Sequence, residues 1–484
     1  MSQKVRTRFA PSPTGYMHIG NLRTALYEYL IAKSQGGDFI LRIEDTDRSR
    51  FVEGAEDIIY STLKSVGLKH DEGPDIGGKY GPYRQSERQG QYLKYAQELI
   101  EKGAAYYCFC DKQDEESLGA QSGYRDKCRD FNNETVSKFL SENKKYVIRQ
   151  KMPLEGQISF EDSIFGKITV ENKELEDQIL IKSDGYPTYN FANVVDDHEM
   201  RITHVVRGSE YLSSTPKYNL LYKAFSWEIP IYIHLPLIMG QNEDGTVSKL
   251  SKRHGAVSFE DLIEKGYLPE AIINYIAFLG WCPESNREIF SLKELIHEFS
   301  ISRISKSPAV FDYKKLDWFN SEYIKIKSPE EFEKLAEPYI KQILRNTNLD
   351  LNKIASLVQM RISRLNEISE IIDFLAELPD YDIDLFQNKK SKTTLESSFD
   401  VLLKVKDKFS NLSIWNYNSI HDLLISTAAD MGVKNGIVMW PVRIAVSGKL
   451  VTPGGAVEIL DILGKEESLT RIENAVTKLE NTLK

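Results

Sequence analysis

Cysteine is scarce in this chain, four residues in 484, which excludes the disulfide framework of a small secreted scaffold. Three of the four share one short window, a spacing that suits a reducing compartment and a metal site. No stretch approaches the roughly 18 consecutive apolar residues that a membrane-spanning helix needs. The amino-terminal MSQKVRTRFA lacks the apolar core of a secretory signal, so the cytoplasm is the expected compartment and no membrane is expected as a partner. Positive charge is not in excess either. A net charge of −9 excludes a uniformly basic nucleic-acid coat while leaving local basic patches open. Internal repeats and low-complexity tracts are absent as well. What remains is 41% hydrophobic and 27% charged, the balance of a soluble globular protein, in a chain too long for one core.

The pattern changes along the chain. VRTRF reads as a strand, NLRTALYEYLIAKSQGG as a helix and DFILRIED as a second strand. In the helix Leu22, Ala25, Leu26, Tyr29 and Leu30 recur at helical spacing, and Gly36 and Gly37 stop it. Strand, helix and strand within roughly 40 residues form a βαβ unit, hence a parallel sheet. From about Tyr106 to Ser183 a polar, cysteine-containing insertion carries short strands such as KYVIRQKM and FGKITVEN. α/β character returns at YPTYNFANVVDDHEMRITHVVRG and lasts through IYIHLPLIM; beyond Val257 the chain is mostly helical.

The loop FAPSPTGYMHIGN, Phe9–Asn21, contains no Asp, Glu, Lys or Arg. It lies between the first strand and first helix, where α/β sheets bind ligands and where helix N–H groups attract phosphate. Pro11 and Pro13 stiffen the loop, Gly15 allows a turn and Gly20 allows close approach to the backbone. His18 can donate to a phosphate oxygen and, if protonated, offset its charge. A lone His-x-Gly is more often an ordinary connection. A second element, SKLSKRHG (Ser248–Gly255), places Lys249, Lys252, Arg253 and His254 together late in the same α/β region. By itself this is a solvated charge run. In that order, however, the two segments are suited to clamping a triphosphate from both sides.

HIGN (His18–Asn21) and KLSKR (Lys249–Arg253) resemble the two signature motifs of class I aminoacyl-tRNA synthetases. RFAPSPTGYMHIGNLRTAL, RIEDTDRSR, GPYRQSER, SDGYPTYNFANVVDDHEMRITHVVRG, KLSKRHGAVS, PAVFDYKKLDWFN and PVRIAVSG followed by TPGG narrow the resemblance to the glutamyl-tRNA synthetases. It covers nearly the whole chain and is weakest from Ser328 to Val433. The implied fold is an α/β Rossmann-type catalytic domain with an inserted α+β acceptor-binding domain, then all-α stem-contact and anticodon-binding domains. The implied boundaries are 1–105 and 186–256 for the catalytic halves, 106–185 for the insertion, 257–327 for the stem-contact domain and 328–484 for the anticodon-binding domain.

The implied reaction joins L-glutamate to ATP, supplied with Mg2+, and passes the acyl group from glutamyl-adenylate to the terminal adenosine of tRNA(Glu). A carboxylate is already a nucleophile, so positioning and charge stabilisation suffice, which accounts for His, Gly and Lys in the motifs. The resemblance places ATP against His18, Gly20, Asn21, Glu210, Tyr211, Lys249 and Lys252, with His18, Lys249 and Lys252 acting on the phosphates. Asn21 stands where the motif has its final His. Glutamate is implied to meet Arg8, Ala10, Ser12, Glu44, Tyr189, Asn193 and Arg207, with Glu44 facing the ammonium and the arginines the carboxylates. Asp196 and Asp197 look like an acid–base pair, but the chemistry needs none, and they read as structural or capping residues.

Cys108, Cys110 and Cys128 supply three thiols, while Cys282 reads as a core residue. The family's Cys-x-Cys…Cys-x-His zinc site has Asp130 here in place of its His, and Tyr124 sits four residues before the last Cys. A structural Zn2+ with Tyr124 or Asp130 as fourth ligand and a set of three reduced thiols both stand open. Basic candidates for tRNA are the Arg48–Arg50 region, Arg303 and Lys306, with Arg361 and Arg364 for the anticodon. A monomer is the family expectation. A glutaminyl enzyme would carry Pro-Glu-Pro-Asn-Gly where Pro11–Gly15 stands and would end in β-barrels. An enzyme that also charges tRNA(Gln), and a non-catalytic tRNA- or nucleotide-binding paralogue, are the remaining alternatives.

Overall fold

The computed structural model describes residues 4–46, 52–110, 127–255, 257–344 and 349–484, and of Lys252 the backbone alone. The chain forms two compact units, one of residues 1–263 and 269–315, the other of 264–268 and 316–484.

The first unit is α/β. Strand β1 (Arg6–Phe9) runs parallel to β2 (Asp38–Leu41), joined by helix α1 (Ile19–Ser34). Gly36, at φ +64°, takes the left-handed turn that ends the helix. The apolar periodicity marks only one face of α1, yet the structure buries nearly all of it, including Arg23 and Glu28. Leu22, Leu26 and Leu30 lose all contact with water, each contributing about 1.5–3 kcal/mol. A helix buried all round carries its polar residues inward with it.

The second sheet has four strands. From one edge they are Gly166–Glu171, β3 (Gln157–Asp162), β5 (Ile231–Leu235) and β4 (His204–Gly208). β4 and β5 are parallel from His204↔Ile231 to Gly208↔Leu235, and the inserted strand β3 joins β5 at Asp162↔Tyr232. Helix α2 (Tyr189–Glu199) precedes β4, and α3 (Thr215–Phe225) lies between β4 and β5. β6 (Ile238–Gln241) then turns into an antiparallel hairpin with β7 (Val247–Lys249), registered Met239↔Lys249. The cysteine-bearing strand Ala105–Cys108 belongs to a separate antiparallel sheet with Val147–Gln150 and Ile179–Ile181. The stretch after Val257, expected to be helical, folds as Phe259–Glu264 and Pro269–Ala277 with a turn between them.

The described part of the second unit is helical, from the end of Tyr313–Lys325 to Lys465–Leu483. Several helices start on side-chain caps that sequence alone makes legible, such as Ser328 with Glu331 before Pro329–Ile343. No described helix is long and apolar enough to cross a membrane.

Candidate active site

β1 delivers the bare loop to the start of α1. Gly15 sits at φ +119°, a conformation that L side chains rarely adopt. His18 is the N-cap of α1, its Nδ1 accepting from the Gly20 N–H at 3.0 Å. That bond leaves the ring proton on Nε2, and a Cβ at Gly20 would press within 3.2 Å of Nδ1. Burial, and then the nearby Lys249 cation, lower the imidazole pKa, so His18 offers a neutral donor rather than a cation. The first turn of α1 holds no acid, so the helix end stays positive.

The stretch that follows the lysine segment, Val257–Glu260, is tied to this loop. Ile19 N–H donates to Val257 O and Phe259 N–H to Met17 O, both at 2.9 Å, and Met17 N–H donates to Glu260 at 3.0 Å. Lys249, at the end of β7, lies 3.4 Å from the Glu210 carboxylate. The turn Lys252–His254 follows; the Lys252 side chain lies outside the described residues. His254 pins that turn. Its Nδ1 accepts from the Ser251 N–H at 3.0 Å and its Nε2 lies 3.0 Å from Asn242 Oδ1 on the hairpin. Gly240 gives the ring room, since a Cβ there would fall 2.5 Å from it.

One cavity of about 490 Å³ gathers most of the predicted residues. His18, Gly20, Asn21, Glu210, Tyr211 and Lys249 line it, as do Arg8, Ala10, Ser12, Glu44, Tyr189 and Arg207. Asn193 is not in its lining; it is buried within α2, donating to the Tyr189 carbonyl at 2.9 Å.

Beneath the cavity lies a buried charge network. Asp197 accepts from Arg8 Nε at 2.9 Å and Arg42 Nη1 at 2.7 Å. Arg42 also holds Glu44 at 3.1 Å, and Arg8 reaches Glu28 and the Val206 carbonyl at 3.3 Å. Arg8 therefore has most of its donors engaged within the protein. Asp196 accepts from Arg88, Gln85 and Tyr92; both aspartates are interior structural charges rather than caps. Burial is the main force raising Glu44, to about 7, against the pull of Arg42 and Arg8. Burial likewise holds Glu28 well above the usual carboxylate range, and its Oε2 has no hydrogen-bond partner among the described residues.

Arg207 is different. It is 5% exposed, Nε donates to His234 Nε2 at 3.1 Å and Nη2 to Thr215 Oγ1 at 2.8 Å. The rings of Tyr218, Tyr211 and Tyr232 stand 4.7–5.5 Å from the guanidinium carbon. Among the described residues no carboxylate pairs with it. A buried cation without a counter-ion costs several kcal/mol, and this one stands in the cavity lining.

Sequence reading missed Glu28, Arg42, Asp162 and His234. Glu28 inside the apolar run ALYEYLIA is the one with a visible signal, a charge where burial is expected.

The sulfurs of Cys108, Cys110 and Cys128 all lie within 4.8 Å of one another, Cys110 and Cys128 at 3.7 Å. Tetrahedral zinc with Zn–S near 2.3 Å sets its sulfurs about 3.8 Å apart, so the three thiols fit. Asp130 is exposed and outside the described cluster, and Tyr124 lies outside the described residues. Cys282 is exposed rather than in the core, its sulfur accepting from Arg303. Arg303 itself holds the Cys282 and Pro283 carbonyls, and Arg364 pairs with Glu367 at 2.9 Å. Lys306 and Arg361 are exposed. The Arg48–Arg50 region lies outside the described residues.

Comparison with known proteins agrees in extent and kind. Residues 4–318 match the family described as tRNA synthetases class I (E and Q), catalytic domain, and residues 331–476 match an anticodon binding domain. The chain is 58% identical to a glutamate–tRNA ligase of Clostridium kluyveri, covering 99% of this chain and 98% of the relative. It is 57% identical to that of Clostridium tetani, covering 99% of each. Among solved structures, a glutamate tRNA ligase from Elizabethkingia meningosepticum, crystallised with its amino acid, superposes with TM-score 0.89. It is 36% identical and is covered completely by 99% of this chain.

Proposed function

The chain belongs to the class I glutamate–tRNA ligases, which attach glutamate to tRNA, and on that premise we propose that it activates glutamate with ATP in the cavity of His18 and Arg207. In the first step an α-carboxylate oxygen of glutamate attacks the α-phosphorus of ATP, which enters with Mg2+, and pyrophosphate leaves. In the second, a hydroxyl of the terminal adenosine of tRNA(Glu) attacks the activated carbonyl, and AMP leaves.

The Nε2–H of His18 and the positive end of α1 at Gly20 and Asn21, whose N–H groups His18 itself holds, meet the phosphates, the helix end acting through its dipole. Lys249 and Lys252 offset charge on the reacting phosphate and the leaving pyrophosphate. Glu210 and Tyr211 bound the nucleotide. Glu44, braced by Arg42, takes the ammonium, and Arg207 takes a carboxylate with Arg8, Tyr189, Ala10 and Ser12 around it. Asn193 acts from beneath, through the backbone of Tyr189. The observation that carries this reading is Arg207, a buried guanidinium at the cavity with no acidic partner among the described residues.

ATP–pyrophosphate exchange in the presence of tRNA tests it. Arg207→Gln raises the KM for glutamate at least about tenfold, because the substrate carboxylate loses its buried partner. A smaller rise would detach Arg207 from the substrate. Lys252→Ala slows exchange at least about a hundredfold while tRNA binding persists. Aminoacylation of purified tRNA(Glu) and tRNA(Gln) distinguishes the single-tRNA enzyme from one that charges both.

Cys108, Cys110 and Cys128 hold a zinc ion in a structural role, shaping the insertion and taking no part in the reaction. Elemental analysis after exhaustive dialysis gives about one zinc per chain; a value near zero removes the metal and leaves the reaction untouched.

A further inference from the structure

If Arg207 meets a substrate carboxylate, something must aim it. Three tyrosine rings surround the guanidinium, but ring faces do not fix its rotation in plane. Direction comes from two neutral acceptors, His234 Nε2 and Thr215 Oγ1. Each is itself held. The Thr215 hydroxyl donates to the Tyr211 carbonyl at 2.9 Å, which leaves its lone pairs for Arg207.

His234, on β5, has no exposure to water, and its Nδ1 lies 2.7 Å from Asp162 Oδ2. The same oxygen accepts the His234 backbone N–H at 3.1 Å, while Oδ1 accepts those of Ile164 and Phe165 at 2.9 and 2.8 Å. Burial works to raise the Asp162 pKa, but the bonds from His234, Phe165 and Ile164 bring it below the ordinary value. An ionised carboxylate only accepts, so the imidazole proton must sit on Nδ1 and the lone pair on Nε2. Burial above all, with Arg207 beside it, keeps the ring neutral against the pull of Asp162. The opposite tautomer would set two N–H groups against each other at Arg207 Nε.

We propose that Asp162 and His234 are positioning residues for recognition of the amino acid: by fixing one imidazole tautomer they hold Arg207 with its remaining nitrogen, Nη1, turned to the substrate carboxylate. This rests on the reading of Arg207 given above. Nη1 makes no hydrogen bond among the described residues, whereas Nε and Nη2 are both occupied. The aim of Arg207 is thus set from β3, an inserted strand that joins β5 at Asp162↔Tyr232.

The test compares His234→Leu, His234→Gln, Asp162→Asn and Arg207→Gln in the full-length enzyme with tRNA, reading KM for glutamate and for ATP separately. His234→Leu raises the glutamate KM about ten- to a hundredfold, the loss expected for one hydrogen bond to a charged group, and leaves the ATP KM within about twofold. His234→Gln restores most of the affinity, because its carbonyl oxygen replaces Nε2 as acceptor for Arg207. Asp162→Asn weakens glutamate in the same direction by releasing the tautomer. An unchanged glutamate KM in His234→Leu overturns the proposal, as does an equal rise for both substrates or a Gln variant no better than Leu. If the Leu variant does not fold, an unchanged glutamate KM in Asp162→Asn overturns it instead. Loss of affinity in Arg207→Gln but not in the His234 variants sinks the positioning alone. No loss in Arg207→Gln sinks the reading of Arg207 on which it rests.

Discussion

Glu44 faces a conflict that its surroundings decide. Burial resists its charge, Arg42 and Arg8 favour it, and the carboxyl titrates near 7. Folding raises its pKa above the ordinary 4.5, so the native state binds the extra proton between those limits. On this group's account stability falls as pH rises from about 4.5 to 7, with the full cost present above that. Function runs the other way, because an ammonium is held by the ionised carboxylate. The KM for glutamate should therefore fall as pH rises from 6 to 8, and Glu44→Gln should flatten that dependence. An equal slope in the variant would assign the titration elsewhere. Asp197 has a simpler role, since two buried guanidinium groups lean on it. Asp197→Asn should lower unfolding free energy by about 3–5 kcal/mol in denaturant titration; a loss below about 1 kcal/mol would mean that Glu28 and Glu44 suffice.

At the level of elements, the β6–β7 hairpin fixes where the lysine segment begins, and His254 ties the following turn back onto it. Gly240 permits that contact, because its missing side chain is where the imidazole sits. Gly240→Ala should cost about 1–3 kcal/mol of stability through overpacking. It should also slow pyrophosphate exchange, since the displaced ring releases Ser251 and the lysines beside it. Exchange at the parental rate, with the alanine in place, would show that the turn needs no anchor. Helix α1 plays the complementary part, presenting its positive end, capped by His18, at the cavity while its length is sealed in the core.

For the whole molecule the question is how an acidic chain holds a polyanion. Net charge of −9 makes long-range attraction weak, so local lysines and arginines are the candidates for contact, and of these Lys306 and Arg361 are exposed. With about six phosphate contacts, tRNA affinity should drop roughly a thousandfold between 50 and 200 mM salt. Filter binding across that range measures the slope. A flat profile would place recognition in uncharged contacts instead.

Much of this protein could be read in the order of its residues. The parallel β1–α1–β2 unit, the bare loop after its first strand and the late lysine segment follow from local rules: alternation, helical spacing, glycine where φ turns positive. Those rules depend only on neighbours in sequence. The helical end and the three clustered thiols were legible in the same way. The partners of buried charge were not. Arg42 with Asp197, Glu28 against Arg8 and His234 between Asp162 and Arg207 join residues 20 to 155 positions apart, and their ionisation is set by how completely water is excluded around them. That exclusion belongs to the packed sheet and helices, not to any one segment. Sequence named Arg8 and Arg207 at the cavity, and only the tertiary structure decided that Arg8 is already answered by Asp197 and Glu28 while Arg207 has no carboxylate partner among the described residues.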